Sequence, residues 1–253
     1  MTFVLAVDVG NSQTKLGWFE QEQLREQRDF PTGSIRPADA LAGLVPSAPP
    51  HAIGAAMCSV VPNLTDEWRR ALRATSGSDP LVVTGETDVG MANHYEDPAS
   101  LGPDRLVGAL AARELYGAPV IVVSLGSATV VNAVSRAGEF LGGAIAPGVE
   151  TSLAALSEKA ARLLPVEFEE APAAIARNTR DAMVAGAYFG AVGQVRELLA
   201  QVRAEMGEEA PAVVTGGRAT LVARRLDNIV AVEPALNLIG LRLAWEYTTR
   251  SRP

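Results

Sequence analysis

Near the start of the chain an apolar run, Phe3 to Val9, ends in Asp8-Val9-Gly10 and continues as Asn11-Ser12-Gln13-Thr14-Lys15. Residue types in this order can grip phosphate. A glycine after a strand permits positive φ and close backbone approach. The amides of the small polar residues behind it can converge on anionic oxygens. Asp8, at the carboxyl end of the run, can hold Mg²⁺ or its waters beside those oxygens, and Lys15 can add a point charge. An ordinary Asp-Gly hairpin turn uses the same dipeptide and is the commoner use. Two further places shift the balance. Val123-Ser124-Leu125-Gly126-Ser127-Ala128 repeats the strand-to-glycine pattern in the second half, and Val213-Val214-Thr215-Gly216-Gly217-Arg218 ends another apolar run in paired glycines. Alone, the latter is a plain strand-to-helix connection. As the third of a set, it lets a flat ring or ribose lie against backbone.

A fourth segment runs from Tyr95 through Gly102-Pro103-Asp104-Arg105. Pro103 suits the first position of a helix, which puts Asp104 and Arg105 in its first turn. A carboxylate there is favoured by the helix dipole, and helix stabilisation is the bland reading. The chemical reading makes Asp104 a general base for a hydroxyl and Arg105 a bidentate partner for a carboxylate. The loop leading in, Gly85 to Gly102, is long enough to suggest a binding role.

These residues need positioning elements. Phe3 to Val9, Thr14 to Phe19 and Leu24 to Phe30 read as a strand meander. His51 to Val61 reads as a buried strand, followed by a helix capped by Asn63 with Leu64, Trp68, Ala71 and Leu72 on one face. Pro80 to Thr84 is a short strand, and the helix from Pro103 runs to about Tyr116. Strands follow at Pro119 to Val123, Thr129 to Ser135, Glu139 to Ile145 and Pro211 to Thr215, and helices at Glu150 to Leu163, Asn178 to Met206 and Pro234 to Thr248. The order of strand, glycine turn, hairpin strands and helix occurs twice. It predicts two related α/β domains, 1–117 and 118–253, facing one another across a cleft, with the last helix packing back on the first. A strand followed by a hairpin is not a Rossmann unit, and no Gly-x-x-x-x-Gly-Lys-Ser/Thr loop is present.

Composition narrows the function classes. The chain has 253 residues, 48% hydrophobic, with a formal net charge of −7 and no basic run, which argues against gripping nucleic acid. A single cysteine, Cys58, excludes an intrachain disulfide and reads as a buried small hydrophobe. Two histidines, His51 and His94, leave little room for a histidine-rich metal site. Neither a secretory signal pattern nor an apolar stretch of membrane-spanning length occurs, so a cytoplasmic protein without a membrane partner is expected.

Six motifs in order carry a specific resemblance. The loop Asp8 to Lys15, the segment Asn93-His94-Tyr95 through Arg105, the stretch Gly138 to Gly148, the helix start Asn178-Thr179-Arg180-Asp181-Ala182-Met183, the turn Thr215-Gly216-Gly217 and the segment Glu233 to Leu241 resemble those of the type III pantothenate kinases. These are actin-like (ribonuclease H-like) ATPases of the acetate and sugar kinase superfamily. The resemblance implies ATP-dependent phosphorylation of pantothenate to 4'-phosphopantothenate, the first step toward coenzyme A. It implies Asp104 as general base, and Tyr95, Gly102, Pro103, Arg105 and Thr179 at pantothenate. Residues 8 to 15 with Gly126, Ser127, Gly216 and Gly217 fall to ATP. It further implies Mg²⁺, a monovalent cation (K⁺ or NH₄⁺) and a homodimer.

The second phosphate loop departs from the family. Ser124 and Asn132 stand where it has carboxylates, the first of which helps hold the monovalent cation. A serine offers an oxygen without charge, so a hard cation loses its main attraction there. Three readings follow: activity without the cation site, weakened activity, or a degenerate homologue that binds nucleotide in a regulatory role. A kinase for another small hydroxylated substrate is a further alternative, against which Arg105, suited to a carboxylate, stands.

Overall fold

The structure is a computed structural model that describes residues 3–44, 53–160 and 162–250; His51 lies outside the described residues. The elements in chain order are β1 (Phe3–Val9), β2 (Gln13–Glu20), β3 (Gln23–Pro31), α1 (Pro37–Leu44), β4 (Ile53–Ser59), α2 (Pro62–Ser76), β5 (Leu81–Val83), α3 (Pro103–Tyr116), β6 (Val120–Leu125), β7 (Ala128–Val134), β8 (Phe140–Pro147), α4 (Val149–Lys159), α5 (Thr179–Met206), β9 (Ala212–Thr215), α6 (Ala219–Ala223), β10 (Ile229–Val232) and α7 (Leu236–Arg250). They form two compact units. The first comprises Met1–Leu115 and Ala235–Pro253, the second Tyr116–Pro234.

The first unit holds a five-stranded sheet in the order β3-β2-β1-β4-β5. β1 pairs antiparallel with β2 and parallel with β4. Side chains alternate across a strand, so Phe3, Leu5, Val7 and Val9 enter a core with Leu41 of α1 and Trp68 and Leu72 of α2. The opposite face carries Val4, Ala6 and Asp8, and α7 lies against it. That face is built of small residues because α7 comes close. A side chain at Gly54 would overlap the Trp245 ring, and one at Gly17 would meet Leu238 at 3.0 Å. Farther along α7, Gly240 meets the Val107 carbonyl of α3 so closely that no Cβ fits.

The second unit repeats this plan. Its sheet order, β10-β9-β6-β7-β8, is the same sequence of partners, with β6 antiparallel to β7 and parallel to β9. Its core gathers Ile121, Val123, Tyr188, Val192 and Val214, among others, with α5 as the main cover. Asn178 caps α5 as expected, its side chain accepting from the Asp181 amide.

Differences from the sequence reading are local. Asn63 does not cap α2. The cap position is Val61, without a side-chain bond, and Pro62 begins the helix, because proline needs no amide partner there. The short elements α1, α6 and β10 are absent from the sequence reading, and α4 ends at Lys159 rather than Leu163. A 3-10 turn, Pro98–Ser100, interrupts the long loop before α3. Among the described residues no helix is long and apolar enough to cross a membrane.

Candidate functional site

Asp8 is a buried polar group of the first unit. It is 8% exposed, and both carboxylate oxygens are engaged. The Cys58 thiol donates to Oδ1 at 3.3 Å, and the Asn237 side-chain amide donates to Oδ2 at 2.9 Å. Burial raises the Asp8 pKa, because a charge is costly away from water. The Asn237 and Cys58 hydrogen bonds and the charge of Lys15, its register partner on β2, pull it back down. Burial and the neighbouring Asp8 charge push the Cys58 thiol well up, so it remains a protonated donor. Cys58 is thus the buried small residue the sequence suggests, with a polar duty added. Asn237 carries no signal as a partner of Asp8 in the sequence. Its membership in the Glu233 to Leu241 motif was the one available clue.

The turn after β1 closes by a Gly10 amide bond to the Gln13 carbonyl at 3.0 Å. A Cβ on Gly10 would lie 2.8 Å from that same oxygen, and Gly10 is not among the positive-φ glycines. The glycine is therefore needed for space rather than for a left-handed backbone. Thr32 braces the turn from β3's end, donating its hydroxyl to the Gly10 carbonyl at 2.7 Å and its amide to the Ser12 carbonyl at 3.0 Å. Asn11, Ser12 and Gln13 are left exposed at the tip, Thr14 is buried and Lys15 half-buried.

Asp104 opens α3 one residue after Pro103, as the sequence predicts. The helix dipole alone would hold its pKa below the usual 3.8. It instead rises to about 6, because burial dominates and the Asp8 charge adds to it, outweighing the hydrogen bond and charge of Arg105. Asp8 and Asp104 are therefore within electrostatic reach of one another. Gly102 leaves room for this carboxylate: a Cβ there would sit 2.7 Å from Asp104 Oδ1. Arg105 is 7% exposed. Its Nη1 donates to the Tyr95 hydroxyl at 3.1 Å, and its guanidinium carbon lies 5.2 Å from the Tyr95 ring centre. Asn93 shapes the loop that brings Tyr95 there, donating to the Gly85 carbonyl at 3.0 Å and accepting from the Tyr95 amide at 3.0 Å.

In the second unit the β6–β7 turn is the counterpart of the β1–β2 turn. The Gly126 amide donates to the Ala128 carbonyl at 3.0 Å, and Gly126 and Ser127 are exposed. Gly216 has φ +101° and lies against the Leu125 carbonyl, and Gly148 lies against Gly126 and Ser127. Three sequence motifs thus meet at one turn, which Thr151 also ties by a 2.7 Å bond from its hydroxyl to the Ser127 carbonyl. Beside it, a cavity of 780 Å³ is lined by Glu150, Leu153, Ser157, Phe168 and Arg218, with Arg218 paired to Glu150. Thr179 does not join this group. It is exposed on the first turn of α5 and lines an apolar groove against α4. Ser124 is half-buried, and Asn132 is 2% exposed on β7.

Metal chemistry can be weighed from the donors. Asp8 suits a divalent cation: it is buried, ionisable, held by two neutral donors and coupled to a second carboxylate, so a cation would restore the stabilisation that burial removes. A cation held by one or two carboxylates together with phosphate oxygens and water needs no larger cage. No cluster of three or more His, Cys, Asp or Glu occurs among the described residues. Ser124 and Asn132 offer only a hydroxyl and a carboxamide, which do not fit a charge-stabilised monovalent site.

Comparison with known proteins agrees in family and fold. The family model for type III pantothenate kinase matches residues 4–201. A type III pantothenate kinase from Thermomicrobium roseum is 38% identical over 255 residues, spanning 98% of each chain. Among solved structures, a Baf family protein from Campylobacter jejuni has a TM-score of 0.63 at 17% identity, covering 97% of this chain and 99% of its own. The activator of 2-hydroxyisocaproyl-CoA dehydratase from Clostridium difficile, with bound ADPNP, has a TM-score of 0.59 at 12% identity, covering 100% of this chain and 99% of its own. At such identities the structural likeness speaks to fold alone, and the fold is the actin-like ATPase fold. With a family model matched over most of its length and a relative aligned nearly end to end, this chain belongs to the type III pantothenate kinase family.

Proposed function

We propose that this protein transfers the γ-phosphoryl group of ATP to the terminal hydroxyl of pantothenate, giving 4'-phosphopantothenate and ADP at the entrance to coenzyme A biosynthesis in the cytoplasm. The observation that carries the reading is Asp104, a carboxylate raised to about 6 by burial at the head of the helix that also bears Arg105. A base with a pKa just below working pH is ionised and still a competent proton acceptor.

In the proposed reaction Asp104 takes the hydroxyl proton as the substrate oxygen bonds to the γ-phosphorus. The bond from that phosphorus to the β–γ bridging oxygen breaks, and its electrons leave with ADP. Arg105, aimed by Tyr95, takes the pantothenate carboxylate, and Gly102 and Pro103 shape the approach to Asp104. Thr179 is assigned to pantothenate by family resemblance. The turn Asp8 to Lys15 takes ATP phosphate oxygens, and Gly126 and Ser127 are assigned to ATP by family resemblance. Gly216 and Gly217, next to the 780 Å³ cavity, take the adenosine side. Asp8 would hold Mg²⁺, directly or through water, and the ion would neutralise charge on the transferred phosphoryl group. The regulatory alternative is disfavoured because a protein that only binds nucleotide has no use for a buried base that costs stability.

We also propose a homodimer. Nothing lies within 4 Å of a Cβ built on Gly186, Gly190 or Gly193 of α5, so within the described residues these small positions serve no packing, and a second copy can use them. Light scattering should give twice the 26.5 kDa chain mass; a monomer at micromolar concentration removes this part.

A coupled assay with ATP, Mg²⁺ and pantothenate should show turnover that potassium barely changes. No turnover at millimolar substrate sinks the activity, and strong potassium activation shows that another group replaces the charge missing at Ser124. Asp104→Asn should lower kcat about 10²–10⁴-fold while nucleotide binding persists. In the wild type, kcat/KM should fall as pH drops through about 6, where Asp104 gains a proton. The stability effect has the opposite sense. The folded state holds the Asp104 proton up to about 6, whereas a free aspartate releases it near 3.8, so stability falls as pH rises through that window. Asp104→Asn should therefore unfold at higher urea than the wild type at pH 7.5, by about 1–2 kcal/mol after discounting for partial exposure, with the gap closing toward pH 4. Gly102→Ala should cost little stability, since a carboxylate can swing away, yet lower kcat about tenfold or more by displacing the base; unchanged kcat would clear Gly102 of that role.

A further inference from the structure

Among the described residues Asp8 accepts hydrogen bonds from two side chains, and both are neutral. A lysine or arginine in either place would orient the carboxylate but cancel the charge that a cation must meet. The Cys58 thiol at 3.3 Å is a weak donor. The Asn237 amide at 2.9 Å is the stronger of the two, and it comes from the other end of the chain. Asn237 is held firmly. Leu236 and Leu238 on either side are fully buried, and three residues on, Gly240 is seated on the Val107 carbonyl of α3, the helix that carries Asp104 in its first turn. One helix therefore touches the partner of the first carboxylate and the helix of the second.

From this geometry we infer that Asn237 is a positioning residue: it fixes the rotamer of Asp8 so that one carboxylate edge faces the phosphate turn while its charge is kept. The inference rests on the proposed role of Asp8 beside the ATP phosphates. A helix polar group that merely satisfied a buried acceptor would support folding and leave the reaction alone. A positioning residue acts on kcat and on cation affinity, and leaves binding of the second substrate untouched. Hydrogen-bonded partners of metal-holding groups have effects of about 10–100-fold on affinity or activity, which sets the expected size.

The test uses the full chain as Asn237→Ala and Asn237→Asp. The alanine variant loses the donor. The aspartate variant keeps the shape but sets a second negative charge against Asp8. Three quantities are read in each: kcat and KM for pantothenate, the affinity for Mn²⁺ in the presence of a nonhydrolysable ATP analogue by electron paramagnetic resonance, and the melting temperature without ligands. Asn237→Ala should lower kcat and weaken Mn²⁺ binding about 10–100-fold, with pantothenate KM within about twofold and the fold intact at assay temperature. Asn237→Asp should weaken both further. Wild-type-like kcat and Mn²⁺ binding in Asn237→Ala overturn the inference, and so do equal losses in both variants. A variant that unfolds at assay temperature assigns Asn237 to stability and overturns it as well. An inactive wild type would instead remove the functional reading, and Mn²⁺ binding would then still decide whether Asn237 orients Asp8.

Discussion

Asp8 loses its water when the first unit folds, and the rest of the site depends on how that loss is met. A buried carboxylate can escape the cost by taking up a proton, by pairing with a fixed cation or by accepting hydrogen bonds. Pairing would silence it and protonation would disarm it. The fold offsets part of the cost chiefly by the third route, with a thiol and a carboxamide as donors, and by the charge of Lys15 on the next strand. Asp104 faces the same desolvation and carries the Asp8 charge as an added burden, and its backbone hydrogen bonds and the Arg105 charge offset only part of it, so its pKa climbs to about 6. Burial raises both carboxylates, and their hydrogen-bond partners and mutual charge set how each responds.

The local parts of this arrangement were legible in the sequence, because their causes are local. A continuous apolar run marked β1, Pro103 marked the start of α3, and Asn178 marked the start of α5. The duplicated strand-and-glycine pattern announced two sheets of one topology. What stayed hidden has long-range causes. Asn237 is 229 residues from Asp8, and nothing about an asparagine in a leucine-rich helix says which acceptor it will meet. The rise of the Asp104 pKa depends on burial by elements remote in sequence, so the same Asp in the first helical turn reads as helix stabilisation. Asn63 misled because Asn is a common cap, while the helix starts one residue earlier at Pro62, whose fixed φ suits the first helical position. α6 and β10 are five and four residues long, too short for periodicity to rise above chance.

The two units show how far a shared topology constrains chemistry. Both sheets place a tight turn after the first strand, and both close it by an amide of the glycine. The crowding differs. At Gly10 a Cβ would press on the turn's own carbonyl, whereas at Gly126 it would meet that carbonyl only at 4.0 Å. In the second unit the tight contacts come from outside the turn, at Gly148 and Gly216. Topology thus dictates where a turn can present backbone to a ligand, and the side chains at its base decide what charge goes with it. The first unit keeps an acid there. The second has Ser124 and Asn132, polar but uncharged.

Chain connectivity explains why a residue near the C-terminus can complete a site at the N-terminus. Closing a loop between Asp8 and Cys58 spans 50 residues, and between Asp8 and Asn237 it spans 229. Loop entropy grows only with the logarithm of length, about 0.6 kcal/mol per doubling, so the longer closure costs roughly 1.3 kcal/mol more. Burying the leucines of α7 on the small-residue face of Ala6, Gly17 and Gly54 offsets that easily, at about 1.5–3 kcal/mol for each large apolar side chain. Distance along the chain is therefore a weak constraint on which residue supports Asp8, and donor chemistry is the strong one. The close fit that Gly17, Gly54 and Gly240 allow, with no room for a side chain at Gly54 or Gly240, is what turns a cheaply closed loop into a fixed hydrogen bond.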